Sequence, residues 1–259
     1  MGSSCNKETL IREYSKAIRE GRASLFIGSG LSRAAGFCDW KDILREAASD
    51  IGLDVEKEES DLISLAQYYV NGRNRTKIND AIKEYFSQDH QQPTQSHNLL
   101  ASLGIKSWWT TNYDRLIETV LHEKDIPFVS LTSDVSFKGL SDSNGVVLHK
   151  LHGDVNSPDN AVITKNDYEE FAEKHEILLA RLKGEMSAKS FLFLGYSLSD
   201  TNINHILTSI RLFYKKYVKD LPTTHYCIMP CIKKADADSE DDFNYKKRKQ
   251  EHEIIARQK

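Results

Sequence analysis

The chain has 259 residues, 39% of them hydrophobic and 28% charged, with a formal net charge of −3. This is enough apolar material for a sizeable core in one α/β domain, and too little basic excess for a dominant nucleic-acid surface. No apolar run nears the roughly 18 residues of a membrane-spanning helix, the opening MGSSCNKETL has no apolar stretch of a secretory signal, and four scattered cysteines make a reducing cytoplasm the expected compartment.

Taken in chain order, Glu8 to Arg19 is charged and amphipathic and predicts a helix ending at Gly21. Ala23 to Ile27 is a short apolar run expected to be a buried strand. Helices are then expected over Trp40 to Ile51, Glu56 to Tyr69, Thr76 to Phe86 and Thr94 to Ser102, with the turn-rich NGRN at 71–74 between the middle two. Because no strand interrupts them, the stretch 56–102 is expected to be a helical lobe inserted into an α/β domain that spans residues 1–259. Ser107 to Thr110, Val146 to Leu148, Phe191 to Leu194 and Thr224 to Met229 read as further strands. Tyr113 to Leu121 and Asp200 to Tyr217 read as helices following two of them. Strand–loop–helix units repeated in this way predict a parallel, Rossmann-like sheet wrapped by helices. Residues from about 239 to 258 are charge-rich and predict a surface helix.

Ligands of such sheets bind beyond the carboxyl ends of the strands. Four junctions there carry glycine or polar residues: GSGLS at 28–32, TTNYD at 110–114, LHGD at 151–154 and GYSLSD at 195–200. The first holds two glycines of a dinucleotide fingerprint, with Arg33 where a third would stand. It reads either as a tight turn or as a loop whose backbone cradles a diphosphate, with Ser29 or Ser32 adding a hydroxyl. Asn112 and Asp114 suit helix capping, yet two such residues after a Thr-Thr pair exceed what a cap needs. His152 is the acid–base candidate among nine histidines, set against the plainer reading of a packed histidine at a strand end. His149 reads as structural. GYSLSD reads either as a cap through Ser199 or Asp200, or as a surface for a ribose or adenine.

In this order the four junctions resemble the sirtuin superfamily. GSGLSRAAGFCDW is similar to its glycine loop, TTNYD to its Thr-Gln-Asn-x-Asp, LHGD to its His-Gly, and GYS to its Gly-Thr-Ser. The resemblance is closer to sirtuin-like NAD hydrolases of bacterial antiphage defence, the Thoeris effectors among them, through SLAQYY, WTTNYDRLIE, HGDV, FLFLG and HYC. It implies NAD+ as substrate, with Asn112 placing the ribose and the attacking water and His152 acting as general base. It further implies nucleotide contacts from Gly28, Ser29, Gly30, Leu31, Ser32, Asp39, Trp40, Thr111, Asp114, Gly195, Tyr196, Ser197 and Asp200. Gly195 to Ser197 would face the adenosine side, and Asp39 and Trp40 would close over the nicotinamide.

The chain departs from deacylating sirtuins in having no pair of Cys-x-x-Cys motifs, so no zinc lobe and no metal are expected. His225, Cys227 and Cys231 do not complete a tetrahedral site. Thoeris effectors carry a C-terminal nucleotide-sensing domain of the SLOG type that binds a cyclic ADP-ribose signal. The resemblance therefore implies a catalytic domain whose sensor lies elsewhere, a homo-oligomer, and no membrane or nucleic-acid partner. A protein deacylase and a non-catalytic NAD or ADP-ribose sensor are the alternative readings.

Overall fold

The computed structural model describes residues 7–37, 40–57, 61–86, 92–134, 145–197, 200–217 and 223–228. Six strands, β1 (Ala23–Ile27), β2 (Ser107–Thr110), β3 (Phe128–Leu131), β4 (Val146–Lys150), β5 (Ser190–Leu194) and β6 (Tyr226–Ile228), form one sheet in the order β3-β4-β2-β1-β5-β6. Every pairing is parallel, as in β1 on β5 with Ala23 opposite Ser190 through Ile27 opposite Leu194. All five residues of β1 are buried, which is why it reads as an unbroken apolar run rather than an alternating one. The expected Rossmann-like α/β fold is therefore what the chain adopts.

Side chains leave the strands on alternate faces and seed two cores. Leu25, Ile27 and Trp108 pack with α1 (Lys7–Arg19), α6 (Gln95–Ala101) and α7 (Leu116–Glu123). Phe26 and Trp109 pack on the other side with α8 (Lys165–Lys174), α9 (Glu176–Ala188) and α10 (Thr201–Tyr217). A third core joins α3 (Trp40–Asp50), α4 (Leu62–Gly72) and α5 (Thr76–Phe86) to Tyr113, Leu116 and Ile163 beside the carboxyl ends of the strands. Arg75, just ahead of α5, fastens these helices there: it donates to Asp167 Oδ2 at 2.8 Å and to the Ala161 carbonyl.

The chain runs from β1 to β2, out to the edge strand β3, back to β4 between them, and then crosses to β5 on the far side of β1. The strand order thus reverses at β1, with β2 on one side and β5 on the other, and the loops beyond their carboxyl ends enclose a crevice. Among the described residues, a short 3-10 helix at Pro158–Asn160 and four longer elements were not anticipated. The longer ones are the edge strand β3, the helices α8 and α9, and the five-residue helix α2 (Ser29–Arg33). The expected helix at 239–258 lies outside the described residues.

Candidate functional site

The crevice is a cavity of about 480 Å³, within the range of small-molecule sites. Ser29, Ser32, Trp40, Thr111, Asn112, Asp114, His152, Tyr196, Ser197 and Asp200 all line it. The four polar junctions therefore meet in one place. Asp61, Leu62, Ile63, Phe86, Tyr113, Tyr168 and Thr201 also line it, and sequence reasoning missed them. Only Tyr113 carried a signal, being inside TTNYD. The others come from helices whose approach to the site is a matter of tertiary packing.

Gly28, Gly30, Leu31 and Gly195 are not among the lining residues, and the reason is steric. A Cβ on Gly28 would stand 2.6 Å from the Gly195 carbonyl oxygen, and one on Gly195 only 2.4 Å from Leu31 N. Gly30 N–H donates to the Gly195 carbonyl at 2.8 Å. The glycines permit close approach of the β1 loop to the β5 loop, and the Gly30 N–H is engaged in it. Leu31 packs against the α1, α6 and α7 core. Asp39 and Ser199 lie outside the described residues.

Asn112 is buried directly after β2. Its main-chain N–H donates to Thr110 Oγ1 at 3.0 Å, and that hydroxyl donates to the Ile27 carbonyl at 2.9 Å. Its Nδ2 donates to Ser32 Oγ at 2.7 Å, and Ser32 Oγ donates to Asp114 Oδ2 at 2.6 Å. The remaining carboxylate oxygen of Asp114 accepts the Leu116 N–H at 3.0 Å, at the start of α7. Asp114 thus closes a turn just ahead of the α7 N-cap residue, Arg115, and Ser32 turns toward Asn112 and Asp114.

Beneath this segment lies Lys150, fully buried, with its ammonium donating to the carbonyls of Tyr113 (3.3 Å) and Asp114 (2.6 Å) and to Glu118 (3.1 Å) and Asp154 (2.5 Å). Burial raises the Glu118 carboxyl above its ordinary value despite the neighbouring Lys150 charge. A buried cation shared by two carboxylates and two carbonyls holds the 113–114 backbone in place.

His152 follows β4 and is 3% exposed. Its ring stands edge-on to Tyr168 and Phe171, with centroids 5.6 and 5.7 Å away. Its Nε2 faces Asp200 Oδ2 at 3.2 Å, an ion-pair separation without the alignment of a hydrogen bond. The Tyr168 hydroxyl donates to the same oxygen at 3.3 Å, and Asp200 Oδ1 accepts the Ile203 N–H at 3.0 Å, capping α10. Burial opposes the charged form of Asp200, but His152 and these donors outweigh it and hold the carboxyl below its ordinary range. Asp200, expected to contact nucleotide, spends its oxygens on His152, Tyr168 and the helix. On the cavity wall, Asn112 Oδ1, His152 Nε2 and the Tyr196 hydroxyl are buried with no hydrogen-bond partner among the described residues.

His149 behaves as the structural histidine expected. It is stacked on Trp109 at 3.7 Å and 5°, and burial pushes it down to about 4. Zinc fits no set of side chains among the described residues: no group of three or more His, Cys, Asp or Glu is placed to hold a metal ion. His225 Nδ1 accepts the Phe191 N–H at 3.3 Å, and Cys231 lies outside the described residues. No helix among the described residues is long and apolar enough to cross a membrane.

Comparison with known proteins adds the lineage. The chain is 39% identical over 251 residues to the NAD(+) hydrolase ThsA of Bacillus cereus (strain MSX-D12), covering 94% of this chain and 50% of that protein. It is 37% identical over 246 residues to the ThsA of Enterococcus faecium, covering 92% of this chain and 50% of that protein. A Defense-associated sirtuin 2 of Bacillus subtilis matches at 23% identity over 212 residues, covering 79% of this chain and 21% of that protein. The chain thus spans about half the length of the ThsA relatives it matches. The SIR2-like domain profile matches residues 106–255, and this chain belongs to the SIR2-like family.

Proposed function

We propose that residues 1–259 form one catalytic domain that hydrolyses NAD+ at the nicotinamide–ribose bond in antiphage defence, acting in the cytoplasm. The observation that carries this reading is the meeting of a buried, carboxylate-faced His152 and an Asn112 with an unpartnered amide oxygen on one cavity. Identity of 37–39% to ThsA relatives supports the substrate.

In this reading the nicotinamide ring enters the aromatic end, against Trp40, Phe86 and Tyr113. Ser29 and Ser197 lie toward the nucleotide's diphosphate and adenosine. The C1′–N bond breaks with its electron pair passing to the nicotinamide nitrogen, which leaves an oxocarbenium-like ribose. Asn112 Oδ1 accepts a hydrogen bond from the ribose or from the attacking water. The water oxygen bonds to C1′ and its proton passes to His152, whose resulting positive charge Asp200 stabilises. The proton then returns to solvent, and the products are nicotinamide and ADP-ribose.

The test is product analysis with and without an acetyl-lysine peptide. Peptide-independent nicotinamide and ADP-ribose are expected, and acetylated ADP-ribose formed only with peptide would replace the hydrolase by a deacylase. Homo-oligomerisation and a C-terminal region sensing a cyclic ADP-ribose signal belong to the same proposal. They are read out by the molecular mass of the full-length protein in solution and by its response to that nucleotide.

A further inference from the structure

The Asn112 amide can present either its oxygen or its nitrogen to the cavity, and the two ends have opposite hydrogen-bonding capacity. Only the oxygen can accept from a ribose hydroxyl or a water. The side chain is buried, so its orientation is set by the protein around it. Its neighbours are Ser32 and, through Ser32, Asp114.

A serine hydroxyl has one proton to give. The Asp114 carboxylate can only accept, so it takes that proton at 2.6 Å. Ser32 Oγ is then left to accept, and it takes the Asn112 Nδ2 at 2.7 Å. With the nitrogen engaged there, the oxygen is turned away, and it is the oxygen that is buried without a partner among the described residues. The carboxylate is itself immobilised, since its other oxygen accepts the Leu116 N–H and its carbonyl accepts the Lys150 ammonium at 2.6 Å.

We infer that Asp114 and Ser32 are a positioning pair whose one-way hydrogen-bond relay holds the Asn112 amide with its oxygen toward a hydroxyl donor of the substrate ribose. The inference rests on the NAD-cleaving reading of the site. It gives Ser32 and Asp114 a role that needs no contact with the nucleotide.

The relay makes an unusual prediction about polarity. Asp114→Asn keeps an oxygen for the Leu116 N–H and puts an NH2 against Ser32. Ser32 must then accept from residue 114 and donate to Asn112, which turns the amide over and sends its nitrogen into the cavity. Ser32→Ala removes the relay and leaves the amide unbiased. The double variant has no serine through which the new NH2 could act.

The experiment measures kcat and KM for NAD+ and the ADP-ribose affinity in Ser32→Ala, Ser32→Thr, Asp114→Asn and the double variant. Misorienting one group typically costs up to about 10²-fold in turnover. Asp114→Asn is expected to lose on that order in kcat and Ser32→Ala about tenfold, with KM and ADP-ribose affinity within about threefold. Ser32→Thr, which keeps the hydroxyl, should recover most of the rate. The double variant should return to the Ser32→Ala level, because the residues act as one unit. Losses that multiply in the double variant, or a weakened ADP-ribose affinity matching the loss of turnover, would overturn the relay.

A second readout requires no turnover. The Asn112 side-chain NH2 signal in ¹⁵N NMR, assigned by its absence in Asn112→Ala, should show solvent exchange about tenfold or more faster in Ser32→Ala than in the wild type, as its acceptor is lost. Unchanged exchange refutes the relay even if NAD+ is cleaved. Slow exchange in a protein that cleaves no NAD+ refutes the hydrolase reading and leaves the relay standing.

Discussion

Lys150 allows the most exacting test of how the site is held. Replacing it by Met keeps the length and apolar character of the side chain and removes the ammonium. The Glu118 and Asp154 carboxylates then lose the cation 3.1 and 2.5 Å away, and the Tyr113 and Asp114 carbonyls lose a donor. Lys150 is fully buried, Glu118 is 3% exposed and Asp154 8%, so water cannot readily take its place. Removing one partner of a buried ion pair costs about 3–5 kcal/mol, and at about 2–4 °C per kcal/mol for a domain approaching this size, Tm should fall by roughly 10 °C. The assay is urea and thermal unfolding of Lys150→Met beside a triple variant that adds Glu118→Gln and Asp154→Asn. Neutralising both orphaned carboxylates should restore at least half of the loss, because most of the penalty is uncompensated charge. A Lys150→Met protein as stable as the wild type would refute the reasoning, as would a triple variant no better than the single one.

Other perturbations probe other parts of the molecule. Gly195→Ala puts a Cβ 2.4 Å from Leu31 N at a φ of +61°, so it should cost more than about 2 kcal/mol in chemical denaturation and lower NAD+ turnover as the two loops separate. Tyr196→Phe removes a buried hydroxyl with no hydrogen-bond partner among the described residues, so unfolding should be unchanged within about 1 kcal/mol while KM for NAD+ rises roughly three- to tenfold. Burial holds His225 down to about 4, so the unfolded chain takes up the proton first, near its ordinary value of about 6.5. Stability should therefore fall as pH drops from about 6.5 toward 4, by up to about 3 kcal/mol, and His225→Gln should flatten that slope in pH-dependent denaturant unfolding. The depressed carboxyl of Asp200 acts in a lower window, its contribution being lost only below its ordinary carboxylate range.

Legibility in the sequence followed the physics of each element. β1 and β2 match the bounds expected of them because both are wholly buried runs between polar neighbours. β3 escaped notice because it lies at the sheet edge, follows Pro127 and is only half-buried over Phe128, Val129 and Ser130. α8 buries Phe171 alone, so its sequence shows little apolar periodicity. α7 begins at Leu116 rather than Tyr113, since the intervening backbone is held by Lys150 and the Asp114 side chain. α4 begins at Leu62 rather than Glu56, where Asp61 accepts the Ser64 N–H at 3.0 Å. The strand-end loops announced the site. Their internal contacts did not show, because the glycines serve a loop-to-loop approach, and the Asp200–His152 and Ser32–Asp114 pairings join residues 48 and 82 positions apart.

The measurement that bears most directly on the central claim is nicotinamide release from NAD+ by the wild type, Asn112→Ala and His152→Ala, each first shown to unfold at the wild-type temperature. Peptide-independent release that falls by about 10²–10⁴-fold in His152→Ala, and at least as steeply in Asn112→Ala, is the result expected of a hydrolase working through these two residues. Release that persists in both variants would place the chemistry elsewhere on the chain and contradict the assignment of this cavity.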